Sequence, residues 1–346
     1  MKGEGAFLDF RGMKVWYHVE GPLPGPADTP PLLLLHGGPG GTSDGFEPFD
    51  ALAETGRTII RYDELGSGRS DRPRDLTLWT PATFVDLLSR VRDELGLKRV
   101  HLLGWSWGGM LIMEYFRTNP SGVASVVLTS APASLKEYVE DAQDMRRSLP
   151  SFVQKGMDRF ESKWSPPPPP KPGPVRPGLT DAAIEKSGLT FQKQAAMARP
   201  WVIRVAAVLN RVFPRSQTLY DMLSLPYVEQ HLLRTKPIPL PLAKMSTAMS
   251  REVYETMWGP SEFFGGGNLA AWSAYEWLPN IDVPTLVTCG RCDTVRPERA
   301  QAIADRIRGA ELVVFEQSGH CAMFDEPDLY FRTLTEFLAE VDAQAR

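Results

Sequence analysis

The chain has 346 residues, of which 42% are hydrophobic, and carries a formal net charge of −4. This size allows a large core in one or two domains, and the slightly acidic balance disfavours a nucleic-acid-binding surface. No apolar run reaches the roughly 18 residues of a membrane span, and the N-terminus lacks the apolar core of a secretory signal. We therefore expect a cytoplasmic protein that acts on a small molecule or small peptide, without a nucleic-acid or membrane partner. The composition leaves the oligomeric state open.

Short apolar runs in the first and last parts of the chain predict buried strands. They lie at 31–35, 58–62, 99–104, 125–130, 285–289 and 311–315. Met13–Val19 alternates in polarity and predicts an antiparallel edge strand. Helical patterns lie between the later runs, at 82–95, 108–118, 298–307 and 329–339. Alternation of strands and helices predicts an α/β fold with a mostly parallel sheet and helices on both faces.

The middle of the chain has a different pattern. Between 133 and 280 the strand signals disappear and helical spacing dominates, which predicts a helical cap inserted between core segments 1–132 and 281–346. Within it, 165–178 is rich in proline and predicts an exposed, polyproline-like loop. A binding site for an SH3-like partner is the alternative interpretation of this loop, and a solvated loop is favoured.

A serine stands between a predicted strand and a predicted helix, in the stretch GWSWGG at 104–109. Gly104-x-Ser106-x-Gly108 is the pattern of a nucleophile elbow, in which a sharp turn lifts the serine hydroxyl above the sheet. The same turn directs the N–H of Trp107 at the same point, where the N-terminus of the helix favours negative charge. We therefore predict Ser106 as the nucleophile and Trp107 as one donor of an oxyanion hole.

A glycine-rich loop, HGGPGG at 36–41, follows the predicted strand at 31–35. A loop in this position supplies the second N–H of the oxyanion hole in hydrolases with a nucleophile elbow, and here we predict that of Gly38. A phosphate-binding loop is the alternative, but the Lys-Ser/Thr ending of that motif is missing.

A serine needs a base before it can attack, and the chain has five histidines: His18, His36, His101, His231 and His320. Only His320 follows the last predicted strand, where a loop can position a base. Asp293 follows the preceding strand and can orient the imidazole. The chain order Ser106, Asp293, His320 matches this hydrolase architecture, and the reaction requires no metal and no cofactor.

The cysteines allow one further interpretation. Cys289 and Cys292 form a CxxC pair, and Cys321 follows His320. A single CxxC without a second pair is a weak signal for zinc or redox chemistry, so we interpret these residues as reduced thiols beside a buried strand.

Five motifs together resemble the proline iminopeptidase branch of the α/β hydrolases. They are HGGPGG (36–41), DELGSGRS (63–70), GxSxGG (104–109), GRxDxxxP (290–297) and SGH (318–320). The resemblance implies an eight-stranded, mostly parallel sheet with an inserted helical cap. It also implies cleavage of an N-terminal residue, proline or another small or apolar one, from short peptides or amino-acid amides.

The segment 251–263, REVYETMWGPSEF, resembles the tricorn-interacting aminopeptidase and its relatives. The resemblance implies that Glu262 binds the free α-amine of the substrate, with Tyr254 beside the same pocket, and Gly37 is the third predicted substrate-binding residue. Those enzymes place a second glutamate directly after the triad aspartate, whereas this chain has Thr294. Glu252 and Glu255 are candidates to compensate for the missing charge. The Trp107 side chain is expected to line the substrate pocket.

Two other functions compete with a peptidase. An esterase, lactonase or tailoring hydrolase acting on a small metabolite would keep the triad, and Thr294 favours it, whereas Glu262 favours a peptidase. A non-catalytic binding protein on the same fold is the third hypothesis, and the complete set of predicted triad residues argues against it.

Overall fold

The computed structural model describes residues 5–23, 29–165, 171, 173–196 and 200–344. Within these residues, eight strands form one sheet in the order β1-β2-β4-β3-β5-β6-β7-β8. They are β1 Gly5–Phe10, β2 Met13–Glu20, β3 Leu32–Leu35, β4 Ile59–Tyr62, β5 Val100–Trp105, β6 Val123–Thr129, β7 Thr285–Gly290 and β8 Glu311–Phe315. The strands β3 to β8 pair in parallel, and β1 and β2 are antiparallel additions. The predicted eight-stranded, mostly parallel sheet is confirmed.

The edge of the sheet differs from the prediction. The predicted edge strand at Met13–Val19 is β2, but it pairs on both sides, with β1 and with β4. Its interpretation as an edge strand is therefore wrong. Arg11 and Gly12, at φ values of 55° and 78°, turn the chain between β1 and β2, and a pair of positive φ angles is typical of a tight hairpin. The short β1 is the edge, and its half-exposed pattern was too weak to be recognised.

Helices cover both faces of the sheet, which explains the continuous apolar runs. Leu32 to Leu35 are all buried, and successive residues of β3 belong to separate core clusters on opposite faces. The helices that accompany the core strands are α1 Pro81–Glu94, α2 Trp107–Tyr115, α10 Pro297–Ala304, α11 Ala322–Asp325 and α12 Pro327–Gln344. Four 3₁₀ helices lie among the described residues at Ser43–Thr55, Leu76–Leu78, Phe116–Thr118 and Leu278–Asn280.

Seven α-helices are described between β6 and β7, and we call them the cap helices. They are α3 Leu135–Arg146, α4 Ser151–Glu161, α5 Asp181–Ala196, α6 Pro200–Leu209, α7 Gln217–Tyr227, α8 Leu240–Ala248 and α9 Arg251–Met257. A π-helical segment, Val228–Leu232, continues α7. None of the described helices combines the length and the apolar character needed to cross a membrane.

The proline-rich loop predicted at 165–178 is described only in part, because residues 166–170 and 172 lie outside the described residues. Residues 173–177 are exposed. Arg176 forms an antiparallel bridge with Arg72, and the N–H of Leu179 donates to the carbonyl of Gly68 over 2.8 Å. The end of this loop therefore lies along the core segment that follows β4.

Candidate active site

Ser106 occupies a sharp turn between β5 and α2. Its backbone has φ 56° and ψ −117°, an unfavourable region for a residue with a Cβ atom that costs about 1–3 kcal/mol. Its N–H donates to the carbonyl of Thr129 over 2.9 Å, and its carbonyl accepts from the N–H of Gly109 over 2.9 Å. The backbone on both sides thus holds the serine in a strained conformation, as a nucleophile elbow does.

The backbone packs so closely around the turn at Ser106 that both flanking positions, 104 and 108, require glycine. A Cβ on Gly104 would lie 2.4 Å from the carbonyl carbon and oxygen of Gly108. A Cβ on Gly108 would lie 2.0 Å from the carbonyl oxygen of Leu35, at the end of β3. Both distances are far below van der Waals contact, so any side chain at either position would push the turn away from the sheet.

The same packing brings the loop after β3 to the serine. A Cβ on Gly37 would lie 3.5 Å from the Cβ of Ser106, an ordinary contact distance. Gly38 has φ 145°, and a Cβ there would lie 2.6 Å from the backbone nitrogen of Gly41. The predicted substrate-binding residue Gly37 and the predicted oxyanion donor Gly38 therefore belong to a tightly folded loop beside Ser106.

Asp293 and His320 meet at the ends of β7 and β8. The Nδ1 atom of His320 lies 2.7 Å from Oδ1 of Asp293, which also accepts the N–H of Val295 over 2.9 Å. Both side chains are buried. Their loops can approach because Gly290 and Gly319 lack side chains: a Cβ on Gly290 would lie 2.2 Å from the carbonyl oxygen of Gly319.

The environment of His320 strengthens its basicity. Burial by itself would lower the pKa of His320, but the negative charge of Asp293, its hydrogen bond and the more distant charge of Glu262 outweigh burial. The pKa of His320 is therefore raised above its ordinary value. A base with this shift accepts a proton readily near neutral pH.

Ser106 and His320 are linked through Trp105, the residue before the serine. The indole N–H of Trp105 donates to the carbonyl oxygen of His320 over 3.0 Å, and the two ring centroids lie 6.1 Å apart. Within the described residues, the Ser106 hydroxyl makes no hydrogen bond to the imidazole. Catalytic hydrogen bonds are often long before substrate binds and tighten in the complex.

The Trp107 side chain does not line a pocket, contrary to the sequence-based expectation. It is 1% exposed, and its indole N–H donates to both carboxylate oxygens of Glu64, over 3.0 and 3.1 Å. Its ring packs edge-on against Phe84. Trp107 directly follows Ser106, but α2 turns its indole into the core, where it contacts Glu64 and Phe84.

Glu262 lies in a cluster of aromatic side chains from the cap helices. Its Oε1 accepts the hydroxyl of Tyr254 and its Oε2 that of Tyr138, both over 2.7 Å. Burial, together with the Glu262 charge, raises the pKa of both tyrosines well above the ordinary value, so they remain donors. Trp258 packs edge-on against Tyr138 at 5.0 Å. Each carboxylate oxygen retains a further lone pair that can accept an N–H.

The resemblance implies a glutamate directly after Asp293, and Thr294 stands there instead. It is fully buried, and its hydroxyl lies 2.8 Å from that of Tyr227 on α7. Neither candidate for compensation faces this site with a free carboxylate. Glu255 pairs with Arg251 over 3.0 Å, and Glu252 lies 3.9 Å from Arg176. Glu262, by contrast, accepts from two tyrosine hydroxyls and forms no ion pair with a basic side chain among the described residues.

The cysteines remain separate thiols, with Cys289 and Cys321 buried and Cys292 half-buried. Burial raises the pKa of Cys289 and that of Cys321, which makes both poor thiolate ligands. Among the described residues, the acidic, histidine and cysteine side chains close enough to share a cation are His18, Glu20 and Asp50. This group contains no thiol and no triad residue.

A cavity of about 450 Å³ lies away from the triad and takes lining residues from β2, β4, α5 and α8. Its charged groups are already paired: Arg69 contacts Asp44, Asp63 and Asp181, and Lys244 contacts Glu47. No residue of the predicted catalytic or substrate-binding set lines it. This cavity is therefore separate from Ser106, Asp293, His320 and Glu262.

The family model for the alpha/beta hydrolase fold matches residues 30–167. A curated proline iminopeptidase from Levilactobacillus brevis is 34% identical over 97% of this chain and 96% of its own length. The chain belongs to the proline iminopeptidase family of the α/β hydrolases. Within this family it is a serine hydrolase of the prolyl aminopeptidase type, as the sequence predicted.

Two solved structures share the fold over nearly the whole length. The proline iminopeptidase of Mycobacterium smegmatis is 30% identical, with a TM-score of 0.77 over 99% of this chain and all of that one. The structure of VinJ is 27% identical, with a TM-score of 0.78 over 98% of this chain and 99% of that one.

Several residues of the site were not predicted. Tyr138 and Tyr227 lie in cap helices and His231 lies in the π-helical segment that continues α7. An aromatic residue at helical spacing is usually part of the core. Glu64 lies within the recognised DELGSGRS motif, but its bond to Trp107 was not foreseen. No spacing rule connects these residues to the triad, since each contact joins elements distant in sequence.

Proposed function

We propose that the protein removes the N-terminal residue, proline or another small or apolar one, from short peptides or amino-acid amides. The observation that carries the proposal is the paired His320 and Asp293, 2.7 Å apart, at the strand ends beside the strained Ser106. Glu262, held by two tyrosine hydroxyls and close enough to influence His320, supplies the partner for a substrate ammonium.

In the first half-reaction, Ser106 Oγ bonds to the carbonyl carbon of the N-terminal residue while His320 Nε2 takes the hydroxyl proton. The N–H groups of Trp107 and Gly38 bind the oxyanion, each contributing roughly 3 kcal/mol to transition-state stabilisation. The carbon–nitrogen bond then breaks, and the His320 proton passes to the leaving amine. Asp293 holds the imidazole in the required tautomer and stabilises its positive charge.

In the second half-reaction, water attacks the acyl-enzyme and gives one proton to His320. The ester bond to Ser106 breaks, and the serine regains that proton. The products are the free amino acid and the shortened peptide or amine. Every proton transfer uses His320, and no metal or cofactor takes part.

Glu262 selects substrates with a free amine. An ammonium transferred from water to a largely buried site needs a charged hydrogen-bond partner, and such a bond contributes about 1.5–3 kcal/mol. With Thr294 in place of a second carboxylate, this selection depends on Glu262 alone among the acidic side chains assigned to the site.

The test compares prolyl and alanyl p-nitroanilides with their N-acetylated forms and with p-nitrophenyl esters of short acids. We expect the free-amine amides to exceed the N-acetylated amides by about 10- to 100-fold in kcat/KM, the factor of one charged hydrogen bond. Efficient ester hydrolysis with no advantage for a free amine would contradict the peptidase assignment.

That second outcome would favour an esterase or lactonase acting on a small metabolite. The specific observation in its favour is the neutral Thr294–Tyr227 pair, which adds no negative charge to the amine side of the site. Labelling of Ser106 by a fluorophosphonate is expected for both hydrolases, so its absence would favour a binding protein instead.

A further inference from the structure

We propose that His231, supported by Tyr227, is a positioning residue through which the cap helices hold His320 and Asp293 in catalytic alignment. The inference rests on the proposed function, because it concerns the same triad. It adds a role for a cap segment that carries no catalytic group.

His231 contacts both triad loops. Its carbonyl oxygen accepts the backbone N–H of His320 over 2.9 Å. Its Nδ1 lies 2.9 Å from the carbonyl oxygen of Cys292, the residue before Asp293. One cap residue thus fixes the backbone of the base and the backbone next to the carboxylate that orients it.

Tyr227, one helical turn earlier, holds the other side of Asp293. Its hydroxyl lies 2.8 Å from that of Thr294, the residue after Asp293. The rings of Tyr227 and His231 lie 4.7 Å apart, and Phe263 packs edge-on against Tyr227 at 4.5 Å. The side chains of Tyr227 and His231 therefore hold Asp293 from the two residues that flank it.

The chain after His231 reinforces this contact through Asp325. One carboxylate oxygen of Asp325 accepts the N–H of Gly319 over 3.0 Å, and the other accepts those of Arg234 and Thr235 over 2.9 and 2.8 Å. A Cβ on Gly319 would lie 2.6 Å from the His231 carbonyl oxygen. The loop before His320 is therefore packed directly on this cap segment.

Two energetically unfavourable features of this segment argue that it does more than fill space. Val228–Leu232 is π-helical, a rare conformation that often occurs at functional sites. Within the described residues, Nε2 of His231 is buried without a hydrogen-bond partner. Leucine at this position would avoid a buried unpaired nitrogen but would lose the bond to Cys292.

The tautomer follows from the contacts. Because Nδ1 faces a carbonyl oxygen, it carries the proton and donates, which leaves Nε2 unprotonated in the neutral ring. Burial lowers the pKa of His231 more than its bond to Cys292 and the charge of Asp293 raise it. A neutral donor in this place holds the loop without adding a positive charge beside the base.

The decisive experiment measures the rate of Ser106 phosphonylation by a fluorophosphonate from pH 5 to 9 for the wild type, His231→Leu and His231→Asn. This rate reports triad alignment regardless of the leaving group that the enzyme prefers. We expect His231→Leu to label about tenfold more slowly at its plateau, the effect of losing one well-placed hydrogen bond of about 1.4 kcal/mol.

Two further results distinguish an effect on triad alignment from an effect on protein stability. Asn places a donor nitrogen near the position of Nδ1, so His231→Asn should recover to within about threefold of the wild type. His231→Leu should also shift the acid midpoint to lower pH, because a looser Asp293 raises the pKa of His320 less. A purely structural role would reduce the amount of active protein without moving the midpoint.

Tyr227→Phe and Thr294→Val provide milder variants if His231→Leu does not fold, and each should slow labelling about threefold to fivefold. Tyr115→Phe is the matched control, because Tyr115 is buried and bonded to Arg92 over 2.7 Å in the core. It should label like the wild type.

The possible failures are distinguishable. If the wild type labels at Ser106 and the His231 and Tyr227 variants match it in rate and midpoint, the positioning role is overturned and the proposed function stands. If the wild type does not label at Ser106, the proposed mechanism is overturned, and the inference that rests on it falls with it.

Discussion

The sheet and the cap hold their parts of the candidate site by different means. At the ends of β5 and β7, Gly104 and Gly290 allow backbone atoms to approach so closely that a Cβ would lie 2.4 and 2.2 Å from its neighbours. In the cap, Glu262 is held by the hydroxyls of Tyr138 and Tyr254. The first kind of support fails if any side-chain atom is added, whereas the second can be weakened one hydroxyl at a time.

This difference separates the chemistry from the choice of substrate. Changes at the strand ends should affect all substrates alike, because they alter the groups proposed to bond to the reacting carbonyl. Changes around Glu262 should alter the preference for free amines and spare the hydrolysis of N-blocked substrates. The predictions below test this separation, from the largest expected effect to the smallest.

Ser106→Ala removes the proposed nucleophile. We expect kcat/KM to fall by at least about 10⁴-fold for amides and esters alike, because triad members act as a unit. The thermal unfolding midpoint should stay near that of the wild type, since alanine retains the Cβ. Residual activity within tenfold of the wild type on any substrate would show that another residue attacks.

Glu262→Gln tests the cap side. An amide cannot offer a negative charge to the substrate ammonium, so kcat/KM for free-amine substrates should fall by about 10- to 100-fold. N-acetylated amides and simple esters serve as the internal control and should change little. An equal loss on both kinds of substrate would mean that Glu262 supports the fold or the triad rather than the amine.

Tyr254→Phe and Tyr138→Phe are smaller changes at the same place, because the Glu262 carboxylate keeps its charge and loses one hydrogen bond. Each removes one hydroxyl that donates to Glu262 over 2.7 Å. A single hydrogen bond of about 1 kcal/mol predicts roughly a fivefold rise in KM for free-amine substrates, with kcat nearly unchanged. A fall in kcat with unchanged KM would instead place the tyrosines in the chemical step.

The acid limb of the pH–rate profile measures how far the cap influences the core. The raised pKa of His320 keeps the ring protonated up to a higher pH, so activity on an ester should be lost through a midpoint above 6.5 as the pH falls. Because Glu262 contributes to this raised pKa, Glu262→Gln should move the midpoint down by a fraction of a unit. An unchanged midpoint would mean that the two parts of the site are electrostatically independent.

The core side of the candidate site could be inferred from the sequence because its signals are local. Gly104, Gly108, Gly290 and Gly319 lie within a few residues of the groups they serve, and each motif follows an apolar strand. The expected proximity of Ser106, Asp293 and His320 then follows from the topology of a parallel sheet, whose strand ends share one edge. The edge strand β1 was missed because a strand of six residues with only two of them buried gives a weak pattern.

The contacts of the cap could not be predicted in this way. Tyr138 and Glu262 are 124 residues apart, and Tyr227 and Thr294 are 67 apart. Trp107 likewise has its position fixed by the motif and its direction fixed by Glu64, 43 residues away. A tyrosine on a helix gives the same pattern whether its hydroxyl meets a carboxylate, a threonine or solvent.

The sequence by itself indicated the mostly parallel sheet apart from β1, the glycine-flanked turn at Ser106 and the three candidate groups at the strand ends, because glycines and apolar strands constrain the backbone within a short stretch of chain. Only the tertiary structure decided which hydroxyls donate to Glu262 and that the hydroxyls of Thr294 and Tyr227 lie together. It also decided that His231 contacts the loops of both Asp293 and His320. Those contacts depend on how helices distant in sequence pack over the sheet, and such packing leaves no periodic signal in any one segment.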